Sequence, residues 1–432
     1  MRYGISGDSE WPIWTITGKH PTPMSSSEIT STRMDWSPVA RKQPASETDR
    51  HPMFAYIDAL RGYAILLVIT SHLPYAYPEL PYIVRQLSFI GMNGVQLFFL
   101  ASCVTLMISW HGEMSRSGTA DVGAFFIRRV FRIIPTYYIA GFIYLWFSPP
   151  EHGFEWLRFI TTYGFINLWH PSTASTMGQW SVVPGGWSVT VEFTFYVMFP
   201  IVATMVTTLG RAMAFTVGAV AIAIVANSIG FMMWSGTYSP ATIDGFLMFW
   251  FPNQLPVFAL GTVVYFLMGP AERSIPSYLS TPLALMAMCG LFALNWTGIA
   301  MWTGENNRIL GISLAAAVPF SLFVLALSRA PRRAGLFVNP VVAMIGRISF
   351  SAYLIHFAVI KLLPEGFPLF FHTDAGGVRG IAAFAAGWLA VTAVTCAAAF
   401  VTHELIEKPF IAAGRDLIRA RRLRLRALEG HA

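Results

Sequence analysis

Apolar residues in this chain come in long, nearly unbroken runs, the pattern of helices surrounded on every side by lipid or other helices. Runs of about eighteen or more residues, long enough to cross a bilayer, cover 63–80, 88–110, 187–208, 212–235, 242–268, 282–302, 308–328, 336–362 and 380–402. A shorter, aromatic-rich run over 134–148 follows an arginine cluster. The stretch 155–170 keeps Glu155, Arg158, Asn167 and His170, so a span, a re-entrant piece and an interfacial helix all fit it. Residues 1–53 differ in kind. They are polar, carry Pro21-Thr22-Pro23 and Ser25-Ser26-Ser27, lack the apolar core of a signal peptide, and predict a disordered tail.

Composition points the same way: the 432 residues are 55% hydrophobic and 12% charged, against about 25% charged in a soluble domain. The formal charge of +7 then speaks to topology and not to a nucleic-acid partner, because Lys and Arg collect in cytoplasmic loops. Arg415, Arg419, Arg421, Arg422, Arg424 and Arg426 put the C-terminus in the cytoplasm. Arg329, Arg332 and Arg333 do the same for the loop two spans earlier, and Arg128, Arg129 and Arg132 for the segment before 134–148. An even number of crossings must separate Arg132 from Arg329, so the weakest run between them, 155–170, drops out.

The expectation is an all-α, polytopic integral membrane protein of about ten transmembrane helices with both termini cytoplasmic. Its parts are a tail over 1–53, a membrane domain over 54–411 and a basic tail over 412–432, and its place is the inner (plasma) membrane. Arg85, Arg158, Arg308, Lys361 and Arg379 then fall outside, and Arg347 sits within a span. Cys103, Cys289 and Cys396 lie in apolar runs, where a thiol behaves as a small hydrophobe, and no Cys/His spacing implies a metal.

An ionisable side chain at the centre of a span costs about 2.5–3.5 kcal/mol, which makes each one a functional candidate. Here they are Arg61, His72, Glu192, Arg347 and His356, with His403, Glu404 and Glu407 at the end of the last helix. Arg61 and His72 are close to three helical turns apart, so they share a face at a separation of roughly 16 Å. His72 suits a general base towards a hydroxyl, or a hydrogen bond that holds helices together. Arg128, Arg129 and Arg132 at the membrane surface can bind the phosphates of a donor such as acyl-coenzyme A, or anchor a helix at anionic lipid. Ser188, Glu192 and Tyr196 recur along one face behind Trp187, a polar stripe that fits a cavity or a structural ion pair. Between 346 and 357, Ser349 and Ser351 read as helix packing, and Tyr353 and His356 as site candidates.

Taken together these segments resemble the acyltransferase-3 family of bacterial membrane O-acyltransferases over about residues 54–411. The resemblance rests on Asp58-Ala59-Leu60-Arg61-Gly62 with His72; Gly94-Val95-Gln96-Leu97-Phe98-Phe99; Arg129 and Arg132 followed by Pro135; Trp187-Ser188-Val189-Thr190-Val191-Glu192; Ser349 to His356; and Ile406-Glu407-Lys408-Pro409-Phe410. It implies a ten-helix bundle that moves an acyl group, such as acetyl or succinyl, from acyl-coenzyme A to a hydroxyl of a polysaccharide, lipid-linked glycan or related acceptor, with neither cofactor nor metal. It further implies that Arg61 and His72 are essential to transfer, that Arg129 and Arg132, with Arg128 beside them, handle the donor, and that Glu192 assists. Trp187, Ser188, Tyr196, Tyr353 and His356 are expected to line the working cavity.

The sequence departs from the family in two places: Ser102-Cys103-Val104 stands where Ser-Gly-Phe is usual, and Gln96 where an acid is common. Loss of the glycine bears on close helix approach, and loss of the acid on acceptor choice. The extracytoplasmic domain that some members append is not expected. The residues alone also fit a proton-coupled transporter, although no inverted repeat or matched pair of broken helices is visible, and a catalytically inactive membrane scaffold. They leave the acyl group, the acceptor and the oligomeric state open.

Overall fold

The computed structural model describes residues 55–150, 153–174, 181–269, 277–296, 312–329, 336–371 and 374–429; the predicted disordered tail lies outside them. Among these residues every regular element is a helix: α1 (Ala55–His72), α2 (Tyr82–Phe89), α3 (Gly94–Ser117), α4 (Val122–Phe147), α5 (Trp156–Tyr163), α6 (Trp187–Met205), α7 (Leu209–Trp234) and α8 (Pro240–Phe249). They continue as α9 (Phe251–Met268), α10 (Ser277–Trp296), α11 (Ile312–Ser328), α12 (Pro340–Arg347), α13 (Ser349–Gly366), α14 (Pro368–Phe371), α15 (Gly377–Thr402) and α16 (Lys408–Glu429). Each of the ten long apolar runs has a helical counterpart. Six stretches are long and apolar enough to cross a membrane, and the bent pair α12 and α13 makes a seventh. The other three runs are α1, which carries Asp58, Arg61 and His72, and the shorter apolar helices α10 and α11. The run 155–170 yields only the eight-residue α5, about 12 Å long and too short to span, with Trp156, Leu157 and Ile160 exposed.

The first run is shifted from its predicted place. α1 begins at Ala55 and stops at His72, where Pro74 turns the chain into a short 3-10 helix over Leu73–Ala76. Its neighbours approach its backbone so closely that only glycine fits: a Cβ on Gly346 would lie 1.7 Å from the Asp58 carbonyl oxygen, and one on Gly91 2.0 Å from that of Leu67. Leu60, Ala64, Ile65, Val68 and Ile69 are buried around it, so α1 is a central strut.

The run 336–362 is not one continuous helix. Asn339 caps α12 by accepting from Val342 N at 3.0 Å, Pro340 opens it, and the chain turns by 81° at Ile348 before α13 begins. Arg347 is exposed at the end of the short helix before this break and not in the middle of one continuous helix. The break frees amides at the start of α13, and one of them, Ser351 N, donates to Glu407 Oε1 at 3.1 Å; the Ser351 hydroxyl donates to the same oxygen. Glu407 reaches them from a single π-helical turn, His403–Glu407, with His403 Nδ1 3.1 Å from its other oxygen.

The basic segment after 408 is a helix docked on the start of α4. Arg421 reaches Asp121 at 2.7 Å and Arg422 reaches Glu113 at 3.0 Å. The glycine missing at position 103 is supplied from the other side of the contact: Gly261 of α9 faces Cys103 on α3, and a Cβ there would lie 2.7 Å from that of Cys103. Gln96 joins Gln254 and Ser313 in a buried neutral cluster at 3.0–3.4 Å, away from both cavities described below.

Candidate active site

α1 carries Arg61 and His72 to two different cavities. Arg61 lines one of about 60 Å³. Its walls are Val95, Phe98, Phe99 and Ser102 of α3, Arg129, Arg132 and Ile133 of α4, Ser188, Val189, Glu192 and Tyr196 of α6, and Ser349, Phe350 and Tyr353 of α13. Three guanidiniums thus face a single carboxylate. Glu192 Oε1 accepts from Ser102 Oγ at 2.5 Å and from the Tyr196 hydroxyl, a pair of bonds that fixes its orientation. Arg129 lies against the rings of Phe125 and Tyr196, 5.5 Å from each centroid, and its Nε has no hydrogen-bond partner among the described residues. A positively charged, partly aromatic cavity of this kind is suited to phosphates and to a short apolar group beside them.

His72 lines the second cavity, of about 270 Å³, with Tyr75, Tyr144, Phe147, Ser148, Pro184, Phe357, Ile360 and Lys361. His72 Nδ1 is 2.8 Å from the Val68 carbonyl oxygen. A carbonyl can only accept, so Nδ1 carries a proton, and in the neutral ring Nε2 then has the lone pair that a general base requires.

The cavities are back to back. Pro184 faces the second, while the carbonyl of the next residue, Gly185, accepts from the Tyr353 hydroxyl at 2.9 Å, and Tyr353 belongs to the first. Ser188 Oγ in turn donates to Tyr353 Oη at 2.9 Å. Gly185 has φ +75°, and a Cβ there would come within 2.9 Å of Phe357 and 3.0 Å of Tyr353 Oη, so the wall is as thin as a glycine backbone allows. His356 completes it, fully buried, with its ring centroid 5.4 Å from that of His72 and 5.5 Å from that of Tyr353.

Of the residues singled out in the sequence, Arg61, Arg129, Arg132, Ser188, Glu192, Tyr196 and Tyr353 share the first cavity. His72 stands apart in the second and shares no hydrogen bond with Glu192. Arg128 points away and pairs with Glu113 at 3.2 Å. Trp187 packs on Phe249 and Phe99, outside the lining, and His356 lies in the wall. Ser102, Phe98, Phe99 and Phe350, which the sequence offered only as parts of motifs and not as site residues, also line the first cavity, as does Ser349, read there as helix packing.

The family profile described as an acyltransferase domain matches residues 54–404. Among curated relatives, the acyltransferase MdmB of Streptomyces mycarofaciens is 26% identical over 82% of this chain and 90% of its own length. A Staphylococcus aureus protein named as an O-acetyltransferase is 24% identical over 71% of this chain and 50% of its own. A Bacillus subtilis protein named as a peptidoglycan O-acetyltransferase is 22% identical over 84% and 56%. The chain spans about half the length of the last two relatives. No solved structure matches it.

Proposed function

The chain belongs to the acyltransferase-3 family, and we propose that it transfers a short acyl group from acyl-coenzyme A, held at one face of the plasma membrane, to a glycan hydroxyl that enters from the other. One observation carries this reading: Arg61 and His72, on a single helix, open into two cavities set back to back. The donor's phosphates meet Arg129 and Arg132, with Arg61 nearer the thioester. α16, with its arginines, docks at the same end, which supports a cytoplasmic opening.

The acyl end passes the Tyr353–Gly185 hydrogen bond to meet the acceptor. His72 Nε2 removes the hydroxyl proton as oxygen attacks the carbonyl and the C–S bond breaks, while Arg61, in the other cavity, holds the donor. Glu192, anchored by Ser102 and Tyr196, holds the arginines in register. The names of the Staphylococcus and Bacillus relatives support acetyl as the group and a peptidoglycan-like glycan as the acceptor.

The test is transfer of labelled acetyl from acetyl-coenzyme A to peptidoglycan fragments by protein in lipid nanodiscs. His72→Gln, at equal abundance, is expected to lose about 10²–10⁴-fold in rate. Gln keeps a hydrogen-bonding amide, so activity above about a tenth of wild type would reduce His72 to a packing residue.

A further inference from the structure

The lining of the His72 cavity is uneven. Tyr75, Tyr144, Phe147 and Phe357 give it aromatic walls, a surface on which the C–H face of a sugar can lie, and few polar groups remain to fix an orientation. Most of those are already engaged. His72 Nδ1 is held by the Val68 carbonyl, and the Tyr144 hydroxyl donates to Leu354 O at 2.8 Å and accepts from Ala358 N at 3.2 Å. Lys361 brings a permanent positive charge to this lining, and no carboxylate stands among the lining residues to balance it.

The ammonium has no partner among the described residues, although Glu365 follows it by one helical turn. Other cations predicted on this side of the membrane do have partners: Arg85 donates to the Tyr77 carbonyl at 3.1 Å, and Arg158 pairs with Glu155 at 2.8 Å. Arg379 makes no such bond either, but it does not line the cavity. Lysine and arginine are depleted from extracytoplasmic segments, so a lysine that lines a cavity there without an internal partner points to a ligand. Its position suits the reaction. Phe357 meets the His72 ring edge-on at 4.5 Å, and Lys361 lies one turn, about 6 Å, further along α13. A hydroxyl at His72 and a charge at Lys361 are therefore within reach of one small glycan unit.

Resting on the acyl-transfer reading above, we propose that the acceptor is an acidic glycan, whose carboxylate binds Lys361 while the hydroxyl to be acylated lies at His72 Nε2. A lone ammonium with no guanidinium beside it matches the single charge of a carboxylate; phosphate draws the paired bonds of arginine, as in the other cavity. The aromatic walls hold the sugar, and Lys361 sets which way round it lies. Lys361 is thus a specificity-determining residue that touches the acceptor and takes no part in the chemical step.

The experiment uses the full chain in lipid nanodiscs with labelled acetyl-coenzyme A and two acceptor probes: a peptidoglycan-derived disaccharide bearing a free carboxylate, and the same disaccharide as its neutral carboxamide. The readout is the ratio of acceptor kcat/KM for acid over amide, in which differences in abundance and donor handling cancel. Wild type is expected to favour the acid about fivefold, the upper end for an exposed ion pair, through acceptor KM. That preference is expected to shrink as salt rises to about 0.5 M. Lys361→Gln is expected to erase the preference, Lys361→Arg to keep it, and Lys361→Glu to invert it. A merely structural lysine would lower transfer to both probes together and leave the ratio where it was. No preference in wild type, or one unchanged in Lys361→Gln, overturns the carboxylate site and leaves the acyl-transfer reading standing. If Lys361→Gln does not accumulate in the membrane, the salt series on wild type decides: a preference that salt does not reduce overturns the site. Thioester cleaved with neither disaccharide acylated overturns the site alone, and no cleavage at all overturns the acyl-transfer reading and the site with it.

Discussion

Arg128, Arg129 and Arg132 lie within two turns of α4, yet only two of them face the cavity, because neighbouring helical residues point about 100° apart. Arg128 spends its charge on Glu113. A charge-assisted hydrogen bond is worth about 1.5–3 kcal/mol, so Arg129→Ala and Arg132→Ala are each expected to raise the donor KM by roughly 10–100-fold and to leave the acceptor KM near wild type. Arg128→Ala is expected to change donor KM by less than about twofold, because its guanidinium is paired with Glu113 and not with the donor. Initial-rate kinetics with each substrate varied in turn checks this; equal effects at 128 and 129 would make the cluster a diffuse surface charge. The stripe Ser188, Glu192 and Tyr196 was legible because helical periodicity alone puts it on one face. The cavity's other walls were not, since Ser102, Ser349 and Phe350 arrive from helices whose rotation about their axes is set by packing and leaves no local mark.

At the level of elements, a charged C-terminal run reads as a tail until its partners are seen, and Asp121 lies 300 residues upstream of Arg421. Partial burial opposes ionisation of Asp121. The Arg421 hydrogen bond, the Ala124 N–H and the charges of Arg421 and Arg422 outweigh it and hold the carboxyl below its usual range. A depressed folded-state value means the tie contributes above the unfolded Asp value, about 3.9, and fades as pH falls below it. Hydrogen exchange over 415–426 is expected to show constant protection from about pH 8 to 5 and loss below about pH 4. Asp121→Asn is expected to weaken protection at every pH, and a variant as protected as wild type would mean that apolar contacts alone hold α16. The break at Ile348 escaped notice for a related reason. Its turn sits inside an apolar run, and Glu407, which caps the helix beyond it, comes from 56 residues further along the chain.

For the whole molecule, hydropathy placed ten runs, of which six, or seven with the bent pair, are long and apolar enough among the described residues to cross a membrane, and the arginine bias predicts an orientation. Reporter fusions after residues 120, 210, 331 and 432 are expected to read as cytoplasmic, and an extracytoplasmic signal after 331 would overturn that orientation. What hydropathy misplaced is the strut: the first apolar run starts at 63, whereas α1 starts at Ala55 and takes in Asp58 and Arg61, and other backbones approach it closely enough to require glycine.

That close fit also sets a schedule. Gly346, which closes on the Asp58 carbonyl, follows it by 288 residues (346 − 58), and at about 5–20 residues per second the ribosome needs roughly 15–60 s to make the interval. The Trp388 indole that donates to Thr70 Oγ1 comes later still. Throughout that time α1, with Arg61, awaits these later neighbours, so its packing has to finish from the C-terminal side inward. A nascent chain stalled before residue 346 would expose the helix that bears both Arg61 and His72, which makes unfinished copies conspicuous to membrane proteases.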